Sequence, residues 1–127
     1  MDIERTAAGH LTAGHDVDAI VQKGDERELM VLRETYFHRR AHAVLVAGAE
    51  PDNPGRRLGE RELAGTAKVT PVQAPAASRR LIELVTGHRG ALMRDAREAG
   101  ASWSEIGAAL GMSRQAAREW YQKKFAD

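Results

Sequence analysis

Along residues 25–48, DERELMVLRETYFHRRAHAVLVAG, apolar positions 29, 32, 36, 37, 41, 44 and 45 recur at steps of three and four. That is the period of a helix with one apolar stripe. Asp25, with Glu28 three residues on, is the expected N-cap, and Gly48 the expected stop. The next stretch, EPDNPGRRLG, holds two prolines and a glycine within five residues, which forbids the helix from continuing. The stripe is larger than a lone short segment can cover. Leu29, Leu32, Tyr36, Phe37, Val44 and Leu45 are therefore read as a dimer interface, with packing onto the Ser78 helix inside one monomer as the alternative.

Elsewhere the pattern is weaker. Residues 1–25 carry glycines at 9, 14 and 24, and VDAIVQK after Asp16 fits a short capped helix or, almost as well, a strand. GERELAG, within residues 58–77, predicts one short helical turn. TAKVTPVQAPAA follows; its two prolines favour extended backbone and mark residues 71–77 as a linker between an N-terminal helical segment, 1–70, and a C-terminal unit, 78–127. From Ser78 a long helix is expected, with Leu81, Val85, Leu92 and Ala96 on one stripe, Ile82 and Met93 beside it, and Gly100 as its end. Gly87 and Gly90 inside it cost roughly 1 kcal/mol each relative to alanine, so they predict a close approach or a kink.

The C-terminal stretch SWSEIGAALGMSRQAAREW is the most specific. Ser102 and Glu105 have the form of a capping box, so a helix starts at Trp103. Gly111 can take the left-handed conformation that stops it at Leu110, and Ser113 can cap a second helix. Counting from Trp103, the fifth residue is Gly107, small where the helices cross, and the ninth is Gly111 in the turn; Ile106, Leu110, Met112, Ala117 and Trp120 are the expected buried positions. This arrangement resembles the helix-turn-helix DNA-binding superfamily, particularly compact bacterial regulators and the promoter-reading region of sigma factors. The resemblance covers about 20 residues closely, about 50 if the Ser78 helix is the supporting first helix, and does not reach residues 1–70.

At about 100° per residue, Ala116, Ala117 and Trp120 fall on the inner face of the second helix and Arg114, Gln115, Arg118, Tyr121 and Gln122 on the outer one. Arginine can donate twice to guanine, and glutamine can pair with adenine. Arg114, Gln115, Arg118 and Gln122 are accordingly the expected base contacts. Ser102, Ser104, Ser113, Tyr121, Lys123 and Lys124 are the expected phosphate contacts. Glu119 is expected to pair with a neighbouring arginine. Only seven residues follow Trp120, so no β-wing is expected, and affinity has to come from this helix, a basic arm or a second copy.

Charge agrees with that placement. Residues 1–70 carry 10 Lys/Arg and 12 Asp/Glu, and residues 71–127 carry 9 and 6, which makes the C-terminal half the better surface for a polyanion. Cysteine is absent, which removes disulfides, thiolate zinc sites and cysteine nucleophiles and fits the cytoplasm. No apolar run approaches the roughly 20 residues of a membrane span, and MDIERTAAGH lacks the build of a signal peptide.

No catalytic set emerges. His38 and His42 stand at i and i+4, but Arg39 occupies the place where the zinc-protease pattern needs glutamate, so they are read as solvated histidines, with a regulatory metal site that includes His10 and His15 as the alternative and no metal or cofactor expected. Arg39-Arg40 and Arg56-Arg57 are read as solvated faces. Asp16 with Asp18 and Glu60 with Glu62 have no neighbouring nucleophile or phosphate loop. The expectation is an all-α, non-enzymatic, sequence-specific binder of double-stranded DNA: a bacterial transcriptional regulator, such as a repressor, working as a homodimer. Two alternatives stay open. One is a nucleoprotein component on repeated sites, in segregation, conjugation or phage function; the other is an adaptor that docks a protein partner and never meets DNA. Residues 1–70 are also a possible surface for a protein partner.

Overall fold

A computed structural model describes residues 2–125. All of its regular elements are helices, α1 Val17–Lys23, α2 Glu26–Gly48, α3 Pro54–Gly65, α4 Gln73–Glu98, α5 Trp103–Leu110 and α6 Arg114–Lys124. The all-α expectation holds. No helix among the described residues is long and apolar enough to cross a membrane. The chain divides into two compact units, Met1–Ile82 and Glu83–Asp127, so the division falls inside α4.

In the first unit, Asp16 caps α1 by accepting from the Ala19 N–H at 3.2 Å, which decides the helix-or-strand ambiguity for VDAIVQK. Asp25 and Glu28 form the reciprocal capping box of α2. Between the two helices stands Gly24, where a Cβ would lie 2.6 Å from the Ile20 carbonyl oxygen, so the corner accepts only glycine without a shift. Leu29 and Leu32 are fully buried beside Leu11 and Thr35, each at 0% exposure. This corrects the dimer-interface expectation for Leu29 and Leu32: they are the core of this unit.

α3 is longer than the single turn expected. Asn53 caps it, accepting from the Gly55 N–H at 2.8 Å, and Pro54 takes the first helical position. There the missing N–H is not needed. α2 stops at Gly48 as expected, and Pro54 beyond it starts a new helix. α3 packs on α2, and Gly59 faces Val46 so closely that a Cβ would stand 2.8 Å from its Cγ2.

The N-terminal loop is pinned by Leu11. Its N–H donates to Thr35 Oγ1 at 3.0 Å, Thr35 Oγ1 donates to the Val31 carbonyl at 2.7 Å, and the Ala67 N–H donates to the Leu11 carbonyl at 2.9 Å. Thr35 thus satisfies a backbone group that burial would otherwise leave orphaned. Arg39 is no solvated cation either. It donates to the carbonyls of Leu63 and Thr66, at 2.6 and 2.9 Å, and clasps the end of α3 onto α2.

Residues 71–77 are not a linker throughout. Thr70 and Gln73 exchange bonds, Thr70 N–H to Gln73 Oε1 at 2.9 Å and Gln73 N–H to Thr70 Oγ1 at 3.1 Å, which is a capping box about two turns upstream of the expected start at Ser78. Pro75 falls in the first turn of α4, where a proline is tolerated. Ala77 is fully buried.

Candidate nucleic-acid interface

The second unit is built around α5 and α6. Ser102 and Glu105 make both bonds of the predicted capping box, at 3.1 and 3.0 Å. α5 ends at Leu110 because Gly111 adopts φ 69°, ψ 29°, the left-handed region that glycine enters without penalty. Ser113 caps α6, accepting from the Ala116 N–H at 3.1 Å. Gly107 lies under the turn, where a Cβ would come within 2.8 Å of the Met112 carbonyl oxygen and 3.0 Å of that of Ser113. Because both obstacles are backbone, Gly107→Ala is expected to destabilise this unit by about 1–3 kcal/mol. A thermal melt checks it; an unchanged transition would mean the turn has room.

Met93, Ile106 and Ala117 form the buried centre, with Trp103, Leu110, Met112, Trp120 and Tyr121 partly buried around it. All five positions expected to be buried take part. Trp120 is only half-buried, and the Arg89 guanidinium lies 5.5 Å from its ring centroid. The face that α4 turns inward differs from the expected stripe. Met93 and Ala96 pack inward, whereas Ile82, Val85 and Leu92 are exposed, Leu92 at 67%. A Cβ on Gly90 would run into the Phe125 ring, so that glycine marks a close approach and not a kink. Nothing approaches Gly87 within 4 Å.

On α6 the outer face carries what was expected, with three changes. Arg114, Gln115, Arg118 and Gln122 are exposed, as are Lys123 and Lys124. Neither Arg114 nor Arg118 has an ion pair with a described residue. Glu119 is held by Gln115, whose Nε2 donates to its Oε1 at 2.9 Å, and not by an arginine. Tyr121 lies one turn beyond Ala117 and therefore shares its face. Its ring packs 5.4 Å from Trp103 and stacks 5.3 Å from Phe125. It belongs to the packing and is withdrawn from the phosphate set. Ala116, expected inside, is exposed, so the buried face of α6 is Ala117, Trp120 and Tyr121.

Ser113 uses an oxygen lone pair for capping, which leaves its hydroxyl hydrogen to donate to an anion, whereas the Ser102 hydroxyl is also engaged with the Glu105 carboxylate. Ser104 is exposed on the first turn of α5. Glu105 opposes an anion there. The backbone N–H of Ser102, helped by its hydroxyl, holds the Glu105 carboxyl below the usual carboxylate range, so a negative charge stands at that helix start. α6 is the more favourable element, with Arg114, Arg118, Lys123 and Lys124 against the single Glu119.

The first unit leaves part of the α2 stripe bare. Phe37, Val44 and Leu45 are exposed and Tyr36 is half-buried; Met30, not named among the candidates, joins them at 45% exposure. Residues 30, 37 and 44 are each separated by two turns and so line one face. α2 is apolar on both sides, which is why one stripe in the sequence concealed two surfaces. The carboxylates set aside earlier all have structural partners: Asp16 caps α1, Asp18 accepts from Gln73, Glu60 pairs with Arg56 and Glu62 with His38. His38 and His42 are half-buried against each other and His10, not solvated on a free face. Comparison with protein families, with curated proteins and with solved structures finds no match to this chain.

Proposed function

We propose that the protein binds double-stranded DNA through α6 and regulates transcription as a homodimer. One observation carries the reading. Two arginines without an ion-pair partner among the described residues and two glutamines stand on the outer face of a short helix whose start is fixed by a serine cap and a left-handed glycine turn. Such side chains read base edges in the major groove, while Lys123, Lys124, Ser102, Ser104 and Ser113 are suited to phosphates. A single such helix reads few base pairs, so a second copy supplies the discrimination and sets two half-sites roughly 34 Å apart. The exposed Phe37, Val44 and Leu45 of α2 are the surface assigned to that contact. Selecting bound duplexes from a random pool tests the reading. An enriched inverted repeat is expected; an array of direct sites would favour the nucleoprotein alternative, and no enrichment would remove DNA binding.

A second reading, the protein-docking adaptor, is favoured by one feature. An apolar groove of about 300 Å³ opens between α4 and α5, lined by Val85, Leu92, Met93, Ile106 and Leu110. An adaptor binds no duplex specifically at any salt concentration, so the same selection separates the two.

A further inference from the structure

The first unit contains a cluster that DNA binding does not use. Burial of Leu11 brings His10 against α2, where its ring stacks on His38 at 3.9 Å with the planes 13° apart. The His42 ring stands edge-on to His38 at 4.4 Å. From α3, Glu62 Oε2 accepts from His38 Nε2 at 3.1 Å. The Nδ1 atoms of His10 and His42 are shut off from solvent and meet no hydrogen-bond partner among the described residues. His42 is roofed by α3: a Cβ on Gly59 would lie 3.6 Å from its Nδ1. The ionisable groups facing His10 are His38, His42 and Glu34 of α2 and Glu62 of α3.

Three imidazoles in contact share one bonded carboxylate. A single proton is accommodated by Glu62, but a second places like charges on rings stacked 3.9 Å apart. Metal binding is the competing use of such residues. Nearly parallel stacked rings aim their nitrogen lone pairs along similar directions and not at a common point, and among the described residues no group of three ligating side chains surrounds a metal position. We propose that the cluster of His10, His38, His42 and Glu62 is a proton-sensitive latch, which holds the N-terminal loop and α3 against α2 when its rings are neutral and releases them on acidification.

The sign of the effect follows from His10. Burial, and next the proximity of His38, lower its pKa from the ordinary 6.5. The unfolded chain therefore takes up the proton first. The stabilisation is complete above 6.5 and is lost as pH falls through the folded value. Glu62 works in a lower window. The His38 hydrogen bond lowers its pKa from 4.5, so its contribution persists above 4.5 and goes only as pH falls through that lowered value.

The test is the melting temperature of the full chain between about pH 7.5 and pH 5, the range where histidine changes charge. Wild type is expected to lose several degrees across it. His10→Phe, which keeps a ring in the stack but cannot take a proton, should flatten that loss. Glu62→Gln, which keeps a hydrogen bond but removes the carboxylate bonded to His38, should deepen the loss below pH 6.5, because the Glu62 charge opposes the lowering of the His10 pKa. A wild-type curve that is flat, or a His10→Phe curve as steep as wild type, overturns the proposal. If His10→Phe does not fold, proton NMR of wild type decides. His10 titrating below the ordinary histidine value is expected, and titration at or above it overturns the latch. A zinc-dependent rise in melting temperature at pH 7.5, lost in His10→Phe, would overturn it in favour of a metal site.

Discussion

Leu32→Ala is expected to destabilise the first unit by about 2–5 kcal/mol, the usual cost of removing a buried leucine and leaving a cavity. Leu32 is fully buried together with Leu11, Ile20 and Leu29, so little neighbouring chain can collapse into the space. The melting transition should drop by on the order of ten degrees. Phe37→Ala and Val44→Ser, on the opposite side of the same helix, should leave that transition within about 0.5 kcal/mol of wild type and weaken self-association instead. Circular dichroism and sedimentation of the full chain, read together, separate the two faces. If Leu32→Ala kept the wild-type melt and only dissociated a dimer, the division of α2 into a core face and an outer face would be wrong.

Arg118→Ala should cost about 1–3 kcal/mol in affinity for the selected duplex and relax specificity at one base pair, as expected for a bidentate contact with guanine. Arg118 is exposed, has no ion pair with a described residue and lies one turn after Arg114. Its guanidinium therefore need break no ion pair with a described residue in order to bind. Gln115 differs, because its amide must first leave Glu119. Lys123→Ala should weaken every sequence alike and reduce the salt slope by about one. Titrations of the three proteins against the selected duplex and a scrambled one check this. Equal, sequence-blind losses for Arg118→Ala and Lys123→Ala would remove the assignment of Arg118 as a base reader.

What the sequence disclosed was local. Asp25 with Glu28, Ser102 with Glu105, Gly111 and Ser113 act on neighbours within one turn, and each cap or turn is where the pattern placed it. Two further local signals were present but outweighed. Asn53-Pro54 and Thr70-Pro-Val-Gln73 both start helices, and in both the proline was weighed as a breaker although it stands at or just before the first turn. What stayed hidden depends on tertiary contact. Phe125 meets α4 at Gly90, and Tyr121 packs on Trp103 and Phe125. The i, i+4 spacing of His38 and His42 was visible, but not the arrival of His10, which follows from burial of Leu11 against Thr35. The exposure of Arg114, Gln115, Arg118 and Gln122 was legible from helical period, whereas Tyr121 and Ala116 were each assigned to the wrong face. The dimer candidates were confounded because α2 is apolar on two sides.

The central claim is that α6 meets the phosphates and bases of a DNA duplex, and the most direct measurement is the affinity of the full chain for its selected duplex as a function of salt. Binding should weaken as a straight line in the logarithms of affinity and salt concentration, with a slope of about −0.9 for each phosphate neutralised. A slope of several units, reduced in Lys123→Ala, is the predicted result. Affinity independent of salt, or no preference for the selected duplex over a scrambled one at low salt, would contradict the account.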